Sequence, residues 1–376
     1  MDLQQIFIQH FGQGDTPTAF FIPGRVNIIG EHIDYNGGYV LPCMLAVGTH
    51  ALIRRRVGSA IRFASTNVQK VISASLEKVT YSVTNDWANY PLGVVAMMQK
   101  DGHALGGFDV LFSGNIPRGA GLSSSASIEM AMAVALNAAF SLNYEPITLV
   151  KLTQKSENQF CGVNCGIMDQ FAVGMGKDGF AIYLNCGTLD YRLIPMQLGE
   201  YALLVVNTNK PRRLADSKYN ERRAECESAL ALLQSAPSAA HIKQLADLSP
   251  EEFSALAHLI PNPIVAKRVR HVVHENDRVK QAVQALEAND LPALGALLNA
   301  SHASLRDDYE VTGIELDTLA AAAQKHPACI GARMTGAGFG GCAIALVKKE
   351  AVDDFEKYII AEYEKVIGYA CDVYRV

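Results

Sequence analysis

The sequence predicts two packed domains that each mix strands with helices, and three observations carry that expectation. The chain has 376 residues, more than one small hydrophobic core accommodates. Strand-like runs alternate with helical stretches as far as about Arg192, whereas the chain beyond Tyr201-Ala-Leu-Leu-Val-Val-Asn207 is helical for long stretches. Three glycine-rich segments, at 23–38, 114–126 and 334–341, sit where strands end and other elements begin. The change of pattern places the boundary so that residues 1–195 form the first domain and 196–376 the second.

Each element has its own warrant. The apolar run Ala19-Phe-Phe-Ile22 reads as a strand entering the first glycine segment, and further strands are expected over 38–53 and 61–64. Gly107-Phe-Asp-Val-Leu-Phe112 is a strand that feeds the second glycine segment, and the alanine-rich run 127–140 after it is a buried helix. Strands follow over 179–185 and 201–207, then helices over about 216–234 and 263–299. The third segment, Met334-Thr-Gly-Ala-Gly-Phe-Gly-Gly-Cys-Ala-Ile-Ala-Leu-Val347, is a glycine turn leading into a buried strand. No internal repeat is visible.

Composition excludes several classes of function. With 49% apolar residues the chain is a compact globular protein, and its net charge of −5 gives no electrostatic reason to bind nucleic acid or an anionic membrane. The basic runs Arg54-Arg-Arg56 and Lys210-Pro-Arg-Arg213 are short. No run of eighteen apolar residues occurs, because the most apolar helix is interrupted by Glu129 and Asn137, so no membrane span is expected. The N-terminus lacks the basic start and apolar centre of a signal peptide, so the eight cysteines read as reduced cytosolic thiols. Cys161 and Cys165 have no second pair to complete a zinc site.

The chemistry is concentrated in the glycine segments. Pro23-Gly-Arg-Val-Asn-Ile-Ile-Gly-Glu-His-Ile-Asp-Tyr-Asn-Gly-Gly38 crowds an arginine, two carboxylates, a histidine and asparagines into a short turn. A sugar site needs that density, because each hydroxyl must find a partner; a polar hairpin loop is the alternative. Gly114-Asn-Ile-Pro-Arg-Gly-Ala-Gly-Leu-Ser-Ser-Ser-Ala126 runs from strand through glycines and serines to helix, the arrangement of an anion site in which backbone N–H groups and the helix dipole face a phosphate. A plain capped helix is its alternative. Ala120 stands where a Walker-type loop needs lysine, and Ser124 where a dinucleotide fingerprint needs glycine. The protein-kinase triplets are absent.

The three segments together, in this order, resemble the GHMP small-molecule kinases, whose middle motif P-x-x-x-G-L-S-S-S-A is matched by Pro117–Ala126. Within them, Gly24–Gly38 resembles the galactokinase signature, and 161–171, 217–223 and 304–310 are further matching blocks. The resemblance implies an α+β fold of two domains, the first like the second domain of a ribosomal S5 protein and the second ferredoxin-like. It implies transfer of phosphate from ATP to the anomeric hydroxyl of α-D-galactose, with Mg2+ as cofactor, by a cytoplasmic monomer.

Residue by residue, the resemblance gives Asp169 as base and Arg25 as its partner. Glu31, His32, Ile33, Asp34, Gly166 and Tyr219 fall to the sugar. Ser65, Gly119, Ala120, Gly121, Leu122, Ser123, Ser124 and Ser125 fall to ATP, and Ser125 with Glu157 to the metal. Family members usually carry threonine where this chain has Ile33, so a hydroxyl is missing beside the sugar carboxylates. Ile167, Met168 and Phe171 suggest an apolar wall around a buried Asp169. On pattern alone, Glu157 in the polar run 152–160 reads as an exposed helix residue. A kinase for N-acetylgalactosamine or another sugar stays open. A catalytically silent galactose sensor is a second alternative, opposed by the intact Ser123–Ala126, Arg25 and Asp169. His271-Val-Val-His-Glu275 matches no zinc motif and reads as a polar helix face, and Asp307-Asp308 are adjacent and not a facing acid/base pair.

Overall fold

The computed structural model describes residues 2–117, 121–210 and 215–375. In chain order its main elements are α1 (Leu3–Phe11), β1 (Thr18–Asn27), β2 (Tyr39–Val40), β3 (Pro42–Arg55), β4 (Ala60–Ser65), β5 (Val68–Ser75), α2 (Asn89–Lys100), β6 (Phe108–Gly114), α3 (Ser124–Phe140), α4 (Pro146–Ser156) and α5 (Met168–Met175). There follow β7 (Phe180–Asn185), β8 (Tyr191–Pro195), β9 (Tyr201–Asn207), α6 (Ala215–Gln234), α7 (Pro250–Leu256), α8 (Pro263–Glu287), α9 (Leu291–Asp307), α10 (Gly313–Lys325), β10 (Cys329–Thr335), β11 (Cys342–Lys348), α11 (Val352–Ile367) and β12 (Asp372–Arg375). They form two compact units that interleave along the chain, one of 1–25, 44–117 and 123–176, the other of 26–43, 118–122 and 177–376.

In the first unit β6 lies between β3, its antiparallel partner, and β4, its parallel one; β5 flanks β4, and β1 pairs with β3. Helices α2 to α5 pack on one another. Helix α3 is apolar on nearly every side, with Ala126, Met130, Ala131, Met132, Ala133, Ala135 and Leu136 buried, as befits a helix with no face left for water. Helix α1 starts at Asp2, whose carboxylate accepts from Gln4 N, and lays Phe7 and Phe11 against Leu52, Ala64 and Leu111. The basic run is absorbed locally: Arg54 and Arg56, with Arg62, surround the buried carboxylate of Asp109.

In the second unit an antiparallel sheet runs in the order β10-β11-β9-β12. Strand β7 pairs with β2 and β8, and Cys43 at the start of β3 pairs with Ala181. Two expected elements break. The strand over 38–53 divides at Leu41, because Pro42 has no N–H to give and Leu41 instead exchanges hydrogen bonds with Ile28 and Ile29. The helix over 263–299 divides at 288–290, where Asn289 is left-handed (φ 55°) and Asp290 caps the new helix through Ala293 N. Among the described residues no helix is long and apolar enough to cross a membrane.

Candidate active site

Asp169 opens α5 on the side facing away from its buried neighbours Ile167, Met168 and Phe171. The apolar wall is present, but the carboxylate is not sealed behind it: its side chain keeps 29% exposure, against 4% for Arg25. That departs from the fully buried aspartate read from the flanking residues, because helical spacing turns 168 and 171 inward and 169 outward. Arg25, near the end of β1, grips the carboxylate bidentately, Nε to Oδ1 at 2.9 Å and Nη2 to Oδ2 at 2.7 Å. A third donor, Ser123 Oγ, reaches Oδ2 at 2.7 Å. Ser123 occupies the N-cap position of α3 with a left-handed backbone (φ 59°, ψ 46°), yet its hydroxyl caps nothing and is spent on Asp169. A non-glycine residue held there costs roughly 1–3 kcal/mol and marks a constrained site.

A second carboxyl centre lies in the same unit. After Ser156 the helix widens into a π-turn over Glu157–Cys161, a distortion frequent at functional sites. Glu157 continues the buried stripe of Leu149, Val150, Thr153 and Ser156 at helical spacing, which overturns its reading as an exposed residue of a polar helix. It accepts from Gln170 Nε2 at 2.7 Å and interacts with Ser125 and with Glu129, itself buried. Burial, followed by the charge of Asp169, raises the Glu157 pKa to about 7. Burial, followed by the charge of Glu157, pushes Glu129 up in the same direction. Glu129 takes Ser156 Oγ on one oxygen at 3.3 Å, while Oε2 has no hydrogen-bond partner. Two facing carboxyls with an orphaned oxygen and a serine hydroxyl form an oxygen-only donor set, which suits a hard divalent cation. Among the described residues no group of three or more His, Cys, Asp or Glu forms a cage for a metal.

The signature turn belongs to the second unit. Glu31 is 1% exposed and its oxygens are already engaged: Oε1 accepts from Gly336 N at 2.7 Å and Thr335 Oγ1 at 3.0 Å, and Oε2 faces Arg333 at 2.7 Å and accepts from Asn27 Nδ2. His32 is left-handed (φ 62°) and buried. Burial, with the positive field of neighbouring groups, lowers its pKa to about 3, so the ring is neutral. Its tautomer follows from its partners. Ala337 O, 3.2 Å from Nε2, can only accept, so Nε2 carries the proton and Nδ1 accepts from Tyr35 Oη at 2.9 Å. Tyr35 Oη must then accept from Tyr309 Oη at 2.8 Å.

Ile33 is fully buried and lies over Gly38, where an added Cβ would stand 2.9 Å from it. Asp34 begins a single 3₁₀ turn closed by left-handed Gly37, and the ring of Tyr219 lies 5.4 Å from that of His32. Of the remaining candidates, Gly166 is buried two residues before α5, and Ser65 ends β4 with its hydroxyl accepting from Asn67 N at 3.1 Å. Gly121 is left-handed (φ 72°), Leu122 buried, Ser124 exposed and Ser125 half-buried. Gly119 and Ala120 lie outside the described residues.

The reading of 271–275 as a polar helix face is corrected: His271 and Glu275 are both fully buried on α8. His271 Nε2 lies 3.0 Å from Glu31 O, and Glu275 Oε1 accepts from Gly30 N at 3.0 Å, so both brace the signature turn. Asp307 and Asp308 diverge as expected, to Arg306 and Arg270 respectively. The residues not foreseen are Glu129, Gln170, Arg333 and Thr335. A lone arginine inside the apolar run of β10 is the signal that was there to be read.

Known proteins resemble this chain along nearly its whole length. The model for the galactokinase galactose-binding signature matches residues 5–55, that for the GHMP kinase N-terminal domain 89–177, and that for the GHMP kinase C-terminal domain 282–365. A galactokinase of Clostridium beijerinckii is 52% identical over 96% of this chain and 93% of its own. One of Enterococcus faecalis is 52% identical over 99% and 96%. The crystal structure of Lactococcus lactis galactokinase complexed with galactose superposes with a TM-score of 0.96 at 48% identity, covering 99% of this chain and 96% of that one. Mevalonate kinase of Methanococcus jannaschii shares the fold, with a TM-score of 0.65 at 18% identity over 96% and 98%.

Proposed function

Since the chain belongs to the galactokinase family of the GHMP kinases, we propose that it transfers the γ-phosphoryl group of ATP to the anomeric hydroxyl of α-D-galactose, giving galactose 1-phosphate and ADP. The observation that supports this most directly is a part-exposed carboxylate, Asp169, gripped by a buried arginine and a serine at the start of α3. The anomeric hydroxyl, oriented by Asp169, attacks phosphorus through its oxygen, and its proton passes to that carboxylate. The bond to the β-phosphate oxygen breaks and ADP leaves. Arg25 orients the carboxylate and stabilises charge on the moving phosphoryl group.

Backbone N–H groups over 119–123, with the hydroxyls of Ser124 and Ser125, cradle the phosphates, and Ser65 serves the nucleotide. Ser125 and Glu157 would hold Mg2+, which would supply positive charge to offset that of the phosphates; one hydroxyl and one carboxylate suffice for an ion that keeps most of its waters. Glu31, His32, Asp34, Gly166 and Tyr219 meet the sugar hydroxyls, while Ile33 fills the turn beneath them. In linear order 1–195 then carries every group but Tyr219, which 196–376 supplies. A cytoplasmic monomer acting on these small molecules belongs to the same reading. Mg-ATP-dependent ADP release across galactose, N-acetylgalactosamine, glucose, mevalonate and homoserine tests the reading. Turnover with galactose alone is expected; binding of galactose without turnover would mean a sensor.

The hydroxyl of Ser123 offers a sharper test. If its work is to hold Asp169, Ser123→Ala lowers kcat about tenfold and leaves the KM for ATP within about threefold. A KM for ATP that rises with kcat unchanged would put that hydroxyl on the nucleotide instead.

A further inference from the structure

We propose that Arg333 is a positioning residue for sugar recognition, one that holds the Glu31 carboxylate and the turn around it in binding shape. The proposal rests on the reading that Glu31 belongs to the sugar site. Arg333 is 0% exposed and sits in β10 between the buried Ala332 and Met334. An ion pair so buried is an expensive way to fill a core, and apolar residues of similar volume are often neutral or better there. Its retention calls for another reason, and the geometry gives one.

The guanidinium reaches the first glycine segment twice. Nη2 pairs with Glu31 Oε2 at 2.7 Å, and Nη1 donates to Ile28 O at 2.8 Å and Asn27 O at 3.3 Å. One side chain thus fixes both the carboxylate and the backbone that carries it. The rest of the strand end acts on the same two residues. Thr335 Oγ1 shares its proton between Glu31 Oε1 and Asn27 O, each at 3.0 Å, and Gly336 N donates to Oε1. Ala337 O then takes His32 Nε2. Gly336 also lies so near the phosphate loop that an added Cβ would stand 3.0 Å from Gly121 O. Of the five positions 333–337, all but Met334 are therefore aimed at the two signature residues Glu31 and His32. A strand end needed only for packing would show no such focus.

The test compares Arg333→Met, Arg333→Lys and Thr335→Val with Glu31→Gln, measuring melting temperature and the separate constants for galactose and ATP. Arg333→Met should raise the KM for galactose about tenfold or more, with the KM for ATP within about twofold, because the unpaired carboxylate turns away from its binding pose. Arg333→Lys should recover part of that loss, since a single charge still reaches Glu31. Thr335→Val, which removes one donor and keeps shape, should raise the KM for galactose about threefold and carries the test if Arg333→Met does not fold. A lower melting temperature with the KM for galactose unchanged in the arginine and threonine variants would make Arg333 a fold lock and overturn the proposal. If Glu31→Gln itself leaves the KM for galactose unchanged, the sugar role of Glu31 falls, and the proposal with it.

Discussion

Asp169→Asn will abolish phosphorylation, lowering kcat by about 10³-fold or more, while galactose affinity measured by calorimetry stays within about threefold. The amide keeps the shape of the carboxylate but can neither receive a proton nor complement a guanidinium at both atoms. Arg25, 3% exposed, meets one oxygen at position 169 in place of two and faces an amide N–H with the other nitrogen. That cost falls on stability and is expected as a lower melting temperature. It does not fall on the signature turn, where Glu31 and His32 bond to Thr335, Gly336 and Ala337 and Glu31 pairs with Arg333. The two readouts therefore separate. Full activity in the variant would remove Asp169 from the mechanism, and lost galactose binding would make it a sugar ligand first.

What the sequence disclosed was governed by spacing. The helix after Ser123-Ser-Ser125 and the strand 201–207 lie where their apolar runs predict. Elements failed to match at single residues whose backbone rules are local, such as Pro42 and Asn289. Glu157 shows the other limit. Its immediate neighbours are polar, so its one-dimensional context is that of a surface; helical spacing from Leu149 and Thr153 turns it inward, where Gln170 and Glu129 meet it. His271 and Glu275 are the same lesson reversed. Polar residues at i and i+4 of a helix usually face water, but here the opposite wall is a turn whose backbone Gly30 N and Glu31 O need partners. Burial of polar groups is decided by what they meet, 240 residues away in the case of His271 and Glu31. No periodicity carries that information.

Arg25→Ala is expected to lower kcat by about 10²–10³-fold and to leave the KM for ATP within about threefold. The alternative is that Arg25 is only a clamp for Asp169, and the pair's geometry allows both ideas, since a fork on two oxygens orients as well as it polarises. A double variant distinguishes them. If Arg25 works solely by holding Asp169, then removing it from an Asp169→Asn background changes the residual rate no further. If its charge also acts on the phosphoryl group, the residual rate falls again, because that interaction does not pass through the carboxylate. Arg25→Lys refines the answer: it keeps the charge but loses the planar fork that meets Oδ1 and Oδ2 together. Substantial rescue by lysine would mean that charge at the phosphoryl group matters most. Failure of rescue, with a melting temperature near that of the parent, would mean that the fork's hold on Asp169 does, with Ser123 unable to hold the carboxylate in line alone.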